Sequence, residues 1–429
     1  MRAGTDWIVE RLEELQARLG GVRALSESVP VIPAGSPAPR ALAALEAGVG
    51  GAVRCLRREV ARTTHELRRK PLAAWHGLYR ANQRLAMLQL NADSLFRTLD
   101  LFADGIASRA DASMGLLLAG ADRVVAAALA RPVPGYTPPL AVTYLDSAGR
   151  GGAIARARTE LPGGVVLPIA LIRVSPETLP TRLTSLLHEA GHQLNSDLSL
   201  LSEGAAVIRG AAGSVVRDAA SVDHWASFTS ELLADLWGSF LGGEPAVDGL
   251  QRVLSLPGAL LFLIKPGDPH PPGMVRVAFA IECSRRIHPD TVLSRLEKRF
   301  HEVYLPTPVP RNSRESLADL IDAVPAVVNA ILEHRFEGLG GRTMRDVCDP
   351  RILAPREVRR GLATLLRDPA RLAAEPPLLG LARLGYARLL DLVTPLAHDD
   401  LARRWLQAVA RQRFAAASTP TFRQERSAQ

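Results

Sequence analysis

The sequence predicts a mainly α fold with one small β-sheet, an α+β protein in which helical regions flank a central core. Three observations lead there. Alanine, leucine and arginine dominate and aromatic residues make up only 5% of the chain, a composition that favours helix. Long stretches before residue 131 and beyond residue 280 repeat apolar residues every three to four positions. Short extended runs bounded by proline and glycine are confined to 140–174. At 429 residues, 47% of them hydrophobic, the chain can bury a sizeable core shared among several substructures.

Taken in order, residues 1–40 read as an amphipathic N-terminal helix and a linker, VPVIPAGSPAPR, whose prolines resist regular structure. Residues 41–135 read as a helical region. Within it Leu72, Trp75, Leu78 and Tyr79 are spaced as a buried stripe, Leu85, Leu88, Leu95 and Leu99 extend the spacing, and Asp100 to Gly105 offers a break. The segment RPVPGYTPPL marks a boundary. Residues 136–280 form the expected core, with strands at LAVTYL, 140–145, and GGVVLPIALIRV, 163–174, where Gly163-Gly164 marks a turn or bulge. A helix follows in TRLTSLLHEAGHQLNSD, with Pro180 near its start and Leu183, Leu186, Leu187, Ala190 and Leu194 as its apolar stripe. Residues 281–414 return to amphipathic helix without a fixed-period repeat, and 415–429 read as a disordered tail.

Charge and cysteines exclude several classes. The net charge of +8 is carried almost wholly by arginine, since only Lys70, Lys265 and Lys298 are lysines. No zinc finger, aromatic RNA-binding strand or dense basic tract accompanies it, so a solvated basic surface is the expectation and a nucleic-acid partner is not. The GRGG run at 149–152 is not followed by Lys-Ser/Thr and makes no phosphate loop. Cys55, Cys283 and Cys348 are far apart and odd in number, which suits a reducing compartment. No apolar run resembles a secretory signal. GLLLAG is interrupted by Asp122 and Arg123 and LPGALLFLI is too short to span a bilayer, so a soluble, cytoplasmic protein without a transmembrane segment is expected. No motif speaks to oligomeric state.

The chemistry concentrates in His188-Glu189-Ala190-Gly191-His192. Histidines four apart on a helix project from one face and can share a metal ion. Glu189 then lies beside the open coordination position, where a carboxylate can take a proton from metal-bound water. A catalytic zinc site needs a third protein ligand. The three-histidine pattern fails, because Asn195 and Leu198 stand where glycine and the third histidine belong. In SELLADLWGSF, Glu231 and Asp235 are four apart on a helix made largely apolar by Leu232, Leu233, Leu236 and Trp237. Glu231 is the favoured ligand. Asp235 is placed to accept a hydrogen bond from a ligand histidine and fix its tautomer. Glu203 is the competing ligand, followed by His224 and Asp223. The His/His/Glu set favours Zn2+.

Four segments in order resemble HtpX-like and CAAX-prenyl-protease-like gluzincins: LPGGVVLPIALI, HEAGHQLNSD ending at Asp197, SELLAD, and DPHPPGMVR from Asp268 to Arg276. The resemblance covers about 160–280 and implies a zincin-like metallopeptidase core. In it His188, His192 and Glu231 are ligands, Glu189 is the general base, Asp197 and Asp235 belong to the outer shell, and an edge strand near Val165 to Ile172 holds an extended protein or peptide substrate. His270 and Arg276 fall at the HPP and arginine positions near the active site, where a cation or N–H donor can stabilise an oxyanion. The chain departs from the pattern at Phe228, where the family often has arginine, and in its long helical flanks. The expected function is zinc-dependent peptide hydrolysis. The alternative is a zinc-stabilised helical scaffold that keeps a peptidase-like core without cleavage.

Overall fold

The computed structural model describes residues 2–28, 39–69, 74–145, 153–155, 157, 159–175, 183–255, 257–265, 267–288, 293–304 and 311–417. The linker at 29–38, the GRGG run, Pro180 and residues 418–429 lie outside them. Helices dominate and the strands are few and short, so the protein is α+β and mainly α. The first half contains α1 (Arg2–Gly20), α2 (Leu25–Ser28), α3 (Pro39–Arg69), α4 (Trp75–Ala107) and α5 (Ala112–Leu129). Then come β1 (Leu140–Leu145), β2 (Ala153–Ala155), β3 (Thr159–Leu161), β4 (Val165–Leu167) and β5 (Ile169–Val174). Helices α6 (Ser185–Asp197), α7 (Leu200–Gly213), α8 (Ala219–Ser227), α9 (Thr229–Gly242), α10 (Glu244–Val253), α11 (Gly258–Leu261) and α12 (Gly273–Ile287) follow. After α13 (Leu293–Tyr304) and α14 (Arg311–Glu333), short helices α15 (Met344–Val347), α16 (Pro355–Arg359), α17 (Leu362–Leu365) and α18 (Pro369–Ala373) lead to α19 (Pro377–Leu389) and α20 (Pro395–Ala417).

The described residues divide into two compact units. The first comprises those of Met1–Gly115, Pro139–Tyr144 and Ala155–Leu171. Its frame is the mutual packing of α1, α3 and α4. Buried positions run Ile8, Leu12, Leu15, Leu19 in α1, Leu45, Val49, Ala52, Leu56, Val60 in α3, and Ala81, Leu85, Leu88, Ala92, Leu95, Leu99 in α4. Steps of three and four give each helix a narrow apolar seam of the coiled-coil kind. Helix α1 thus belongs to the bundle and does not stand apart. Of the stripe expected at Leu72, Trp75, Leu78 and Tyr79, Leu72 lies outside the described residues and Leu78 packs partly buried against the core, while the rings of Trp75 and Tyr79 are 75% and 65% exposed. The seam continues back from Ala81 through Leu78, which leaves Trp75 and Tyr79 about 100° to one side of it. Nor does α4 break at Asp100 to Gly105; it runs on to Ala107.

The second unit comprises the described residues of Leu116–Pro138, Leu145–Ile154 and Ile172–Gln429. Helices α6 and α9 lie along each other, α12 packs on α9, and α14 covers α12 and α7. Helix α10 rests on α19, which packs with α20. Trp225, Trp237, Phe279 and Trp405 are fully buried in this unit.

Two expectations change. Residues 163–174 are two strands, not one, with Pro168 between them. Gly163 and Gly164, both at positive φ, make the turn that returns β4 antiparallel to β3, with Leu161 opposite Val165. Strand β5 is the middle strand of a sheet ordered β1-β5-β2. Its backbone is paired on both sides, so Ile169 to Ile172 is no edge for an extended substrate. Among the described residues α5 is the one helix long and apolar enough to cross a membrane, despite Asp122 and Arg123; 56% of it is buried, as in a core helix.

Candidate metal centre

The site is built where α6 and α9 approach most closely. A Cβ on Gly191 would stand 2.9 Å from the Ala234 Cα and 3.0 Å from the Trp237 Cβ, so glycine here is what lets the helices touch. The Trp237 indole N–H donates to the Asn195 Oδ1 at 2.9 Å and pins their register. With that spacing, the faces bearing His188 and His192 on one helix and Glu231 and Asp235 on the other meet.

His188, His192 and Glu231 converge as a group able to hold a metal ion. The two Nε2 atoms are 3.1 Å apart. Glu231 sets one oxygen 3.3 Å from the His188 Nε2 and the other 3.2 Å from the His192 Nε2. Two ligand atoms on a tetrahedral ion with bonds of ~2.0 Å are ~3.3 Å apart, so this donor set fits zinc. Both outer nitrogens are also engaged. The His188 Nδ1–H donates to the Asp235 Oδ1 at 2.7 Å, and the His192 Nδ1 lies 3.2 Å from the Ser230 Oγ. These contacts select the tautomer that presents Nε2 to an ion.

Arg276, in the first turn of α12, does not face an oxyanion. Its guanidinium clamps Asp235 through Nε and Nη2 at 2.7 and 2.8 Å, and Nη2 lies 3.5 Å from the Glu231 Oε2. Buried behind the ligands, it is a positioning residue. Burial opposes the charge on His188, but the Asp235 carboxylate, with hydrogen bonds to Asp235 and Glu231, outweighs it and pushes the pKa up to about 10. Burial would raise Glu231; hydrogen bonds from both histidines and the charge of Arg276 hold it well below the usual carboxylate range. Asp235 is likewise held down against its burial by Arg276 and His188.

Glu189 is buried beside this group, and among the described residues its carboxylate has no hydrogen-bond partner. His270 lies at the solvent side, 58% exposed, with Nε2 3.7 Å from the Glu231 Oε1. It stands outside the group of mutually close ligand atoms. The Asp268 Oδ1 accepts from its ring Nδ1 at 2.6 Å and from its backbone N–H at 3.0 Å, fixing ring and loop together. Asp268 lowers its own pKa by these contacts, the backbone bond foremost.

The competing ligands point elsewhere. Glu203 is bound to His334 at 2.7 Å and to the Glu337 N–H at 3.0 Å, Asp223 pairs with Arg209, and His224 stacks on Phe228. Asp197 is not the outer-shell partner of either ligand ring: those nitrogens belong to Asp235 and Ser230, and Asp197 sits at the end of α6, 3.5 Å from the Tyr136 hydroxyl. Ser230 and Asp268 were not singled out from the sequence, though each stands within two residues of one that was. Comparison with family models, curated proteins and solved structures finds no match. The residues alone carry the functional reading.

Proposed function

We propose that the protein is a zinc-dependent metallopeptidase of gluzincin type, hydrolysing peptide bonds in a protein or peptide substrate. The observation that carries this reading is the convergence of His188, His192 and Glu231 beside a buried Glu189 carboxylate that no hydrogen bond engages among the described residues. A site serving stability alone needs no such base. Bound by these three residues, a zinc ion supplies Lewis acidity towards a carbonyl oxygen and a lowered pKa for water.

The chain's own groups do the rest. Glu189 takes a proton from the attacking water and hands it to the departing amine. His270, paired through Nδ1 with Asp268 and with Nε2 3.7 Å from the Glu231 Oε1, stands where a ring N–H can meet the developing oxyanion. Asp235 and Arg276 hold the His188 ring in place. The unpaired state of all three cysteines supports a cytoplasmic, reducing setting.

The test is Glu189→Gln, which keeps the shape and removes the base. Zinc content should match the wild type while cleavage of an unfolded protein substrate falls by about 10²-fold or more. Undiminished cleavage in that variant would sink the role of Glu189. Full zinc occupancy with no cleavage by the wild-type protein would favour the scaffold alternative.

A further inference from the structure

A cavity of about 470 Å³ opens within the second unit, bounded by the start of α6 and by α10, α19 and α20. Its size suits a small molecule. Leu183, Pro245, Leu381, Leu384 and Leu396 make most of the wall apolar, and Leu183 and Thr184 lead directly into α6. The polar remainder is Thr184, Asp248, Arg252, Arg388, His398 and Asp399.

On the α20 side stand His398 and Asp399. His398 is 6% exposed, and its Nε2 has no hydrogen-bond partner. Burial lowers its pKa and a backbone hydrogen bond at Leu384 occupies the other nitrogen, so Nε2 is an acceptor. The Asp399 Oδ1 is also without a partner, and among the described residues Asp399 makes no ion pair. Acceptors shut away from water in this state favour any ligand that brings donors.

Beside them stand Arg388 and Arg252, whose charges oppose protonation of His398. Arg252 and Arg299 share the Asp248 carboxylate at 2.7 and 2.6 Å, while Arg295 and Arg388 share Asp391. Of these groups Arg252, Arg388 and Asp248 line the cavity, and Arg295 and Arg299 back them from outside it. A carboxylate is the group these forks recognise best.

We infer that this cavity is a binding site for an aliphatic α-amino acid. Its ammonium faces Asp399 and His398, its carboxylate faces Arg252 and Arg388, and its side chain rests on Leu183, Leu381 and Leu384. The site stands independently of the metal centre and of any peptidase activity.

Titration calorimetry of the full chain with L-leucine tests this, beside N-acetyl-L-leucine, which lacks the ammonium, and L-leucinamide, which lacks the carboxylate. Leucine should bind, and each blocked probe should bind about tenfold more weakly or worse. Asp399→Asn should weaken leucine by a similar factor and leave N-acetyl-leucine unchanged; Arg388→Gln should weaken leucine and leave leucinamide unchanged. Absence of leucine binding up to about 10 mM overturns the inference. So does equal binding of all three probes, or unaltered leucine binding in both variants. Where a variant does not fold, the probe series on the wild type still decides.

Discussion

The α1–α3–α4 bundle and the α6–α9–α12 contact are both helix packing, yet they bury opposite kinds of residue. The seams of the bundle bury leucine, isoleucine, valine and alanine with no ionisable side chain among them. The other contact buries Glu189, His192, Glu231, Asp235 and Arg276, drawn from three separate helices. Taking an ion out of water costs several kcal/mol even after relaxation, and pairing repays this only with good geometry. The bundle reads as structure for its own sake. The charged contact costs stability that apolar side chains would not, and such concentrations mark chemistry.

Removing one residue from each region breaks the comparison open. Arg276→Leu leaves Asp235 and Glu231 buried without their cation, and should destabilise the second unit by about 3–5 kcal/mol while weakening zinc binding. Leu95→Ala in the bundle should cost about 2–5 kcal/mol with zinc affinity unchanged. Urea unfolding and zinc titration of both variants separate the two; equal zinc affinity in both would erase the distinction. A finer cut is Asp235→Asn, which spares the three ligands. Zinc affinity should fall about 10–100-fold in chelator competition, against no change for an exposed carboxylate.

Acidity sharpens the same contrast. Without metal, His188 keeps its proton far above the ordinary 6.5, up to about 10. Its contribution to metal-free stability is therefore full below pH 6.5 and is lost as pH rises through about 10. Zinc takes the neutral ring, so binding expels that proton and apparent affinity should rise about tenfold per pH unit across this window. Calorimetry in buffers of different ionisation enthalpy should count about one proton released at pH 7. Affinity independent of pH would contradict the assignment.

What the sequence discloses follows the range of each interaction. The pairs at four-residue spacing, His188/His192 and Glu231/Asp235, are legible because helical periodicity alone puts each on one face. Seams of long helices are legible for the same reason, as at Leu85 to Leu99, and fail only at an end, where Trp75 and Tyr79 match the period but fall beside the line. Arg276 is different. Its hydrogen bonds to Asp235 span 41 residues, and only the fold tells an outward cation from one turned inward. Pro168 could have divided the 163–174 strand, since proline ends ladder pairing. Asp268 could have been found as well, because Asp two residues before a backbone N–H is a common turn device. The cavity lies beyond reach of the sequence, being assembled from the start of α6 and from α10, α19 and α20.

The central claim is that His188, His192 and Glu231 hold a metal with a position left for water. X-ray absorption at the zinc edge of the loaded protein tests it most directly. The account predicts two imidazole nitrogens and carboxylate oxygen at about 2.0–2.2 Å, with one further light oxygen ligand that exchanges with solvent. No retained zinc, or a fourth protein ligand closing the site, would contradict it.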